Sequence, residues 1–222
     1  MSNYIEVNYK TYSTVLSALE ALKDLPYVLG LDFETQSLYS NAERAEAKEL
    51  LKEEDKLDRP TERLCKLVAN SSGLSFPSIT KITHMNIGIS EKEAIVIIID
   101  NVYMEKTILN WLVTSNHHFV IHNSGFDLKQ VYVKTGKLLK HYDDTQLLTK
   151  SFINNADTWK ANTGLKILMG QYYKPSWSLV KEDYNNEDLK KESFLEYCAI
   201  DACACWLLWH QLQEEIELKK EE

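Results

Sequence analysis

The 222-residue sequence has few residues that break or cross-link a chain, with seven glycines, four prolines and four cysteines. The cysteines, which are Cys65, Cys198, Cys203 and Cys205, form no C-x-x-C pair, so a disulfide-rich secreted scaffold is excluded. No apolar run approaches the length of a membrane span, Ala94–Ile99 being only as long as a strand, and the N-terminal residues lack the basic and apolar regions of a secretion signal. We therefore expect an intracellular, cytoplasmic protein with no membrane partner.

Positive charge is also scarce, because 25 lysines and arginines face 33 acidic residues and give a net charge of −8. This balance excludes a protein that holds nucleic acid by charge alone, but it leaves open one that binds nucleic acid through metal ions at an acidic site. The apolar share of 44% and the charged share of 26% are typical of an ordinary globular protein. We expect residues 1–222 to form one domain with a substantial core.

The apolar pattern predicts an alternation of strands and helices. Four segments have the β-branched, apolar character of strands: 27–31, 82–90, 94–100 and 118–121. Helices are predicted at 104–113, 126–133 and 165–173, from a cap at 143–145 to residue 152, and from about Glu187, capped by Asn185 or Asn186, to the end. A hairpin followed by strand and helix alternation predicts an α/β sandwich with a mixed sheet.

The region 41–80 differs from the rest of the chain because it is dense in charge. Between Glu43 and Lys66, 15 of the 24 residues are charged, and Pro60 divides the segment into two predicted helices. Basic residues recur every four positions, at Arg44, Lys48, Lys52 and Lys56, which aligns them on one helical face. Two interpretations stay open: a solvated helical face, which is the commoner case, or an arm that binds phosphates.

Two acidic residues, Asp32 and Glu34, follow the predicted strand at 27–31. Because strand side chains repeat every second position, both carboxylates lie on the same side of the backbone. Burying two like charges together is costly unless a positive group lies between them. Ligands that are all oxygen suit Mg²⁺ or Mn²⁺. The pair therefore predicts a metal site.

Further residues suit the same site. Asp127 falls in the first turn of a predicted helix, where the helix dipole favours a negative charge. Tyr197 and Asp201 are four residues apart in the final helix, so they project from one face among small and apolar neighbours. Taken singly, Asp127 could be an ordinary helix-terminal carboxylate, and Tyr197 and Asp201 could be a hydrogen-bonded core pair.

In order along the chain, these motifs resemble the DEDD superfamily of 3′→5′ exonucleases. The motifs are Leu31–Leu38, His122–Asp127 and Tyr197-x-x-x-Asp201. The tyrosine branch is indicated because Glu196 stands where the other branch has histidine. The chain is most similar to the proofreading exonuclease domain of family A DNA polymerases. The resemblance implies a ribonuclease H-like three-layer sandwich with a central mixed sheet flanked by helices.

The resemblance also implies two divalent metal ions, Mg²⁺ or Mn²⁺, and a role for each motif residue. Asp32, Glu34 and Asp201 would hold the ion that activates water, and Asp32 would bridge to the second ion. Asp127 would hold that second ion largely through waters. Tyr197 would orient the attacking water, because a phenol is too weakly acidic to act as a strong base at neutral pH.

Five residues are assigned to nucleic-acid contacts. The resemblance implies that Leu38 wedges against the terminal bases, that Thr35 and Asn123 contact the terminal nucleotide, and that Phe126 packs beneath the site. Trp177 could stack on a base, because aromatic surfaces often grip single strands. Leu38 and Phe126 could equally be core residues, and Trp177 could be a loop anchor.

The expected function is metal-dependent 3′→5′ exonucleolysis of single-stranded or frayed DNA, with release of nucleoside 5′-monophosphates. A ribonuclease D-like enzyme that trims RNA 3′ ends is an alternative, because sugar discrimination depends on pocket shape. A catalytically inactive nucleic-acid-binding domain is a third reading, which the intact carboxylates disfavour. The chain departs from the family A domain by an insertion of roughly forty residues after the first motif. We also expect no polymerase palm or fingers, so that proofreading would require a separate DNA polymerase.

Overall fold

The computed structural model describes residues 6–52, 57–70, 77–153, 163–172 and 189–221. The strands are β1 Asn8–Tyr12, β2 Val28–Ser37, β3 Thr80–Gly88, β4 Glu93–Ile98, β5 His118–Ile121 and β6 Tyr142–Asp144. The helices are α1 Val15–Ala21, α2 Asn41–Leu50, α3 Arg59–Ala69, α4 Val102–Thr114, α5 Gly125–Thr135, α6 Thr145–Leu148, α7 Leu165–Tyr172 and α8 Glu192–Glu221. Thr149–Ile153 extends α6 as a π-helical turn.

The strands form one mixed sheet in the order β1-β4-β3-β2-β5-β6. β3 and β4 pair antiparallel, as the predicted hairpin, while β1 joins β4 in parallel. β2, β5 and β6 are parallel, and Val120 of β5 lies between Gly30 and Asp143. Because Gly30 pairs with Val120, the end of β5 at Ile121 lies beside the part of β2 that contains Asp32. The sheet register therefore brings the first two motifs to the same region.

Most predicted elements are confirmed, with differences that have physical causes. β2 runs on to Ser37, so Asp32 and Glu34 lie inside the strand rather than at its end. The sequence prediction missed β1 and α1, whose side chains are mostly exposed or half-buried and carry little apolar periodicity. It also missed the polar strand β6. α8 begins at Glu192 rather than near Glu187, and the proposed caps lie outside the described residues.

Helix α8 packs against β1, β4 and β5 and supplies much of the core. Its approach to the sheet depends on two glycines. A Cβ atom at Gly30 would lie 2.1 Å from the Ala202 carbonyl oxygen, and one at Gly88 would lie 2.3 Å from it. No side chain fits at that separation, so glycine lets the helix backbone lie directly on the strands. Among the described residues, no helix combines the length and the apolar character needed to cross a bilayer.

The chain divides into two compact units, one of residues 1–34 and 83–222 and one of residues 35–82. The second, which we call the inserted unit, contains α2 and α3 as predicted, and Pro60 lies in the first turn of α3. Ser40 and Glu43 form a capping box at the start of α2, and Asp58 caps α3. Its buried core is small: Ala47, Cys65, Val68 and Ala69. The expectation of a single domain stays a prediction.

Candidate active site

Strand β2 supplies the first two carboxylates, and its neighbour β3 supplies a polar partner. Asp32 and Glu34 alternate with the buried side chains Leu31 and Phe33. Asn86 of β3 is fully buried, and its Nδ2 donates a 2.9 Å hydrogen bond to Asp32 Oδ2. This bond fixes the orientation of the Asp32 carboxylate. Asn86 was not predicted from the sequence; a lone amide within an apolar strand was the available signal.

Helix α5 supplies the third carboxylate in its first turn. Asp127 is only 4% exposed, and its Oδ1 accepts a 3.2 Å hydrogen bond from the Phe33 backbone N–H. This bond joins the start of α5 to β2, between Asp32 and Glu34. The predicted second motif therefore lies against the first.

Asp144 holds the turn that leads into α5. Its carboxylate accepts hydrogen bonds from the backbone N–H groups of Asn123 and Ser124 and from the Ser124 hydroxyl. It also caps α6 through the N–H groups of Gln146 and Leu147. Asn123 adopts φ of 58°, which is unusual for a residue other than glycine. Asp144 therefore stabilises the turn at Asn123 and Ser124, which leads directly into the first turn of α5, where Asp127 lies.

Helix α8 supplies the fourth carboxylate and the tyrosine. Tyr197 and Asp201 lie one turn apart, and the Tyr197 hydroxyl hydrogen-bonds to the Asp201 carboxylate. Burial, and then the Asp201, Glu34 and Asp32 carboxylates, raise the pKa of Tyr197 above its ordinary value. The phenol is thus a proton donor at neutral pH.

The carboxylates perturb one another strongly. Burial and then repulsion by Asp201 raise the pKa of Asp32 to about 7. Burial, followed by the charge of neighbouring carboxylates, also raises the pKa of Glu34 and of Asp127, and burial raises the pKa of Asp201. Raised carboxyl pKa values in one cluster indicate a lack of positive charge. A cation of the chain, Lys166 on α7, offsets part of this repulsion.

The donor set fits a hard divalent cation, because the predicted ligands are all carboxylates. The buried Asn86 Oδ1, beside Asp32, has no hydrogen-bond donor within the described part of the chain, which suits a site that takes up an ion with its waters. Within those same residues, no three acidic, histidine or cysteine side chains already converge around one point. Asp32, Asp127 and Asp201 each face a protein donor instead.

The predicted nucleic-acid contacts lie in several places. Asn123 is exposed in the strained turn, and Phe126 is half-buried in the first turn of α5. Thr35 is half-buried near the end of β2, and Leu38 is 58% exposed; both belong to the inserted unit. Trp177 lies outside the described residues. All five assignments stay predictions.

Residues 77–217 match a protein-family model described as 3′-5′ exonuclease. The matched segment is more than half of the chain and contains Asp127, Tyr197 and Asp201. It begins after Asp32 and Glu34, but Asn86 within it donates to Asp32, and Asp127 within it accepts from the N–H of Phe33, which lies between the two. A search among curated protein sequences gives no match.

Solved structures of nucleases share the fold. Brucella melitensis NrnC has a TM-score of 0.60 at 16% identity, covering 98% of this chain and 84% of its own. Escherichia coli RNase D, an exoribonuclease involved in structured RNA processing, has 0.59 at 18%, covering 96% and 46%. Pol1 of M. smegmatis, in complex with DNA, has 0.53 at 12%, covering 95% and 28%. NrnC was also solved with Mg²⁺ and with pGG. The fold is thus the expected ribonuclease H-like α/β sandwich.

Proposed function

Because the chain belongs to the 3′-5′ exonuclease family, we propose that it removes nucleoside 5′-monophosphates from the 3′ end of single-stranded or frayed DNA. The observation that carries this proposal is the burial of Asp32, Glu34, Asp127 and Asp201 within electrostatic range, since burial and then the charges of the three aspartates all raise the pKa of Glu34. The four residues come from three elements that are far apart in sequence. Carboxylates grouped in this way would bind the cations that a phosphodiester-cleaving site needs.

Two divalent ions, Mg²⁺ or Mn²⁺, would complete the site, with Asp32, Glu34 and Asp201 holding one and Asp32 and Asp127 holding the other. When bound, such ions supply an activated water and stabilise charge on the leaving oxygen. The chain's own contribution is to keep the carboxylates ordered while they repel one another. Asn86 does this for Asp32, and the Phe33 backbone does it for Asp127.

Tyr197 would act on the attacking water as an orienting group. Its raised pKa keeps the hydroxyl protonated, so it does not serve as a base. Because Asp201 fixes the hydroxyl, the tyrosine presents its oxygen in one defined place. The expected consequence is a rate effect of Tyr197→Phe that is smaller than that of losing a carboxylate.

RNA 3′-end trimming is the second candidate, and the likeness to the exoribonuclease RNase D favours it. DNA and RNA share the phosphodiester that would be cleaved, so the four carboxylates would serve either substrate. If DNA is the substrate, proofreading would act in trans with a separate polymerase.

The test is digestion of matched DNA and RNA oligomers labelled at the 5′ end, with Mg²⁺ or Mn²⁺. We expect a DNA ladder that shortens from the 3′ end and stops when EDTA is added. A ladder on RNA alone would favour the trimming enzyme. Tight binding without any cleavage would contradict the catalytic proposal and leave a nucleic-acid-binding domain.

A further inference from the structure

Lys166 of α7 lies over the ring of the candidate catalytic tyrosine. Its Nζ is 4.6 Å from the centroid of the Tyr197 ring, which is within the range of a cation–π contact. The same ammonium group lowers the pKa of Asp32, Glu34 and Asp201, so it lies within the field of those three carboxylates. Lys166 thus interacts with both the tyrosine and the carboxylates of the site.

The backbone of Lys166 is firmly placed. Leu168 and Met169, which follow it in α7, are 2% and 1% exposed and belong to the same core cluster as α8. α7 packs on α8, the helix that carries Tyr197. A lysine held by a packed helix can keep its ammonium group in one region, whereas a lysine on a surface loop cannot.

The Tyr197 ring is therefore restrained at several points. Asp201 accepts from its hydroxyl, Phe194 lies with its ring centroid 6.0 Å away, and Lys166 contacts the ring. A phenol that orients water must hold its oxygen in one place. Asp201 is itself a predicted ion ligand, whereas Lys166 is a cation outside the predicted ligand set. Lys166 provides a restraint that does not depend on Asp201.

We propose that Lys166 is a positioning residue of the exonuclease reaction, which holds the Tyr197 ring so that its hydroxyl faces the attacking water. This inference rests on the proposed function. It differs from a role in binding substrate phosphate, because Lys166 acts here through the tyrosine. The two roles separate kinetically.

The test is a double-mutant cycle on single-stranded oligomers with Mg²⁺. Lys166→Met keeps the length of the side chain and removes the charge, and we expect kcat to fall about 5- to 30-fold while KM stays within about two-fold. The Tyr197→Phe variant keeps the ring but has no hydroxyl to orient. In that background, Lys166→Met should therefore change kcat less than about two-fold. Lys166→Arg, which keeps a cation able to stack on a ring, should recover most of the loss.

Lys106→Met is the matched control, because Lys106 is an exposed lysine on α4 and should leave kcat unchanged. Thermal unfolding in EDTA checks that each variant folds, and Lys166→Gln replaces the Met variant if that variant does not. Three results would overturn the inference: a raised KM with unchanged kcat, an equal loss of kcat in the Tyr197→Phe background, or no recovery with arginine.

The inference and the proposed function fail in different ways. If the wild type releases no mononucleotide from DNA or RNA, the proposed function is wrong. If the wild type is active and Lys166→Met has the same kcat, only the role of Lys166 is wrong.

Discussion

The acidic site and the inserted unit both depend on charged side chains, but they place them in opposite environments. In the site, four carboxylates share a region with Lys166, and burial raises their pKa values. In the inserted unit, charges lie on exposed helix faces. Lys52 pairs with Glu49 at 2.7 Å, and Lys66 pairs with Glu62. The acidic site thus concentrates negative charge, whereas in the inserted unit acidic and basic side chains pair with each other along the helices.

The comparison teaches which charges carry function. Exposed pairs one turn apart contribute little to stability, because water screens both partners. Buried carboxylates that repel one another destabilise the ligand-free protein. Such repulsion is typical of sites where a bound ligand offsets it. We therefore expect substitutions in the two regions to differ in size, in sign and in dependence on metal ions.

The largest expected effect is loss of turnover on Asp201→Ala. Removing a carboxylate that holds an ion should lower kcat at least about a thousand-fold, because ion-stabilised charge contributes several kcal/mol to such reactions. The measurement is release of mononucleotides from a single-stranded oligomer. Asp100→Ala, at an exposed position outside the site, is the control. Wild-type turnover by the Asp201 variant would refute its assignment as an ion ligand.

The second effect is a gain in stability on Asp32→Asn, in contrast to the loss of turnover expected for Asp201→Ala. The folded-state pKa of Asp32, about 7, exceeds its ordinary value of 3.8, so the folded protein prefers the protonated carboxyl. The resulting destabilisation is absent at low pH, grows between pH 4 and 7, and is fully present above pH 7. In EDTA at pH 8, Asp32→Asn should raise the Tm by roughly 2–8 °C, for a gain on the order of 1–2 kcal/mol.

The pH and metal dependence make this prediction specific. The Tm difference between Asp32→Asn and the wild type should shrink as the pH falls and vanish well below pH 3.8, where the carboxyl is protonated in both states. Saturating Mn²⁺ should raise the wild-type Tm more than that of the variant, because the ion binds the carboxylate. A variant that is less stable than the wild type at pH 8 in EDTA would show that Asp32 is not under repulsion.

The smallest effect is expected in the inserted unit. Replacing Arg44, Lys48, Lys52 and Lys56 by glutamine should change the Tm by less than about 2 °C, since Lys48 and Lys52 are exposed and substitutions of exposed residues are nearly neutral. If the segment is an arm that binds phosphates, the same variant should bind single strands more weakly, with a flatter salt dependence. Unchanged affinity would leave the solvated helical face as the correct interpretation.

The sequence predicted the features that follow from periodicity and residue chemistry. The hairpin, the strand at β5, the two helices of the inserted unit and the start of α5 are confirmed. The α/β fold and the resemblance to 3′→5′ exonucleases are confirmed by the sheet and the family match. Asp32, Glu34, Asp127, Tyr197 and Asp201 stay predictions as catalytic residues, although the structure brings them together.

The missed features depend on contacts between distant residues. Asn86 and Lys166 acquire their meaning only when β3 and α7 lie beside the acidic cluster. Asp144 was predicted as a helix cap, but its bonds to Asn123 and Ser124 arise because β5 and β6 are paired. No periodicity in the chain reveals such contacts, so the sequence predicted candidate ligands but not the groups that hold them in place.

The two glycines beneath α8 have a consequence for redesign. The Ala202 carbonyl lies where a Cβ atom of residue 30 or 88 would be, so the backbone of α8 is in direct contact with the backbone of β2 and β3. The spacing between Asp201 and the carboxylates of β2 is thereby set by backbone geometry, and repacking side chains elsewhere will not adjust it. If the predicted ligands bind an ion, a design for a larger or softer ion would therefore have to exchange those side chains themselves.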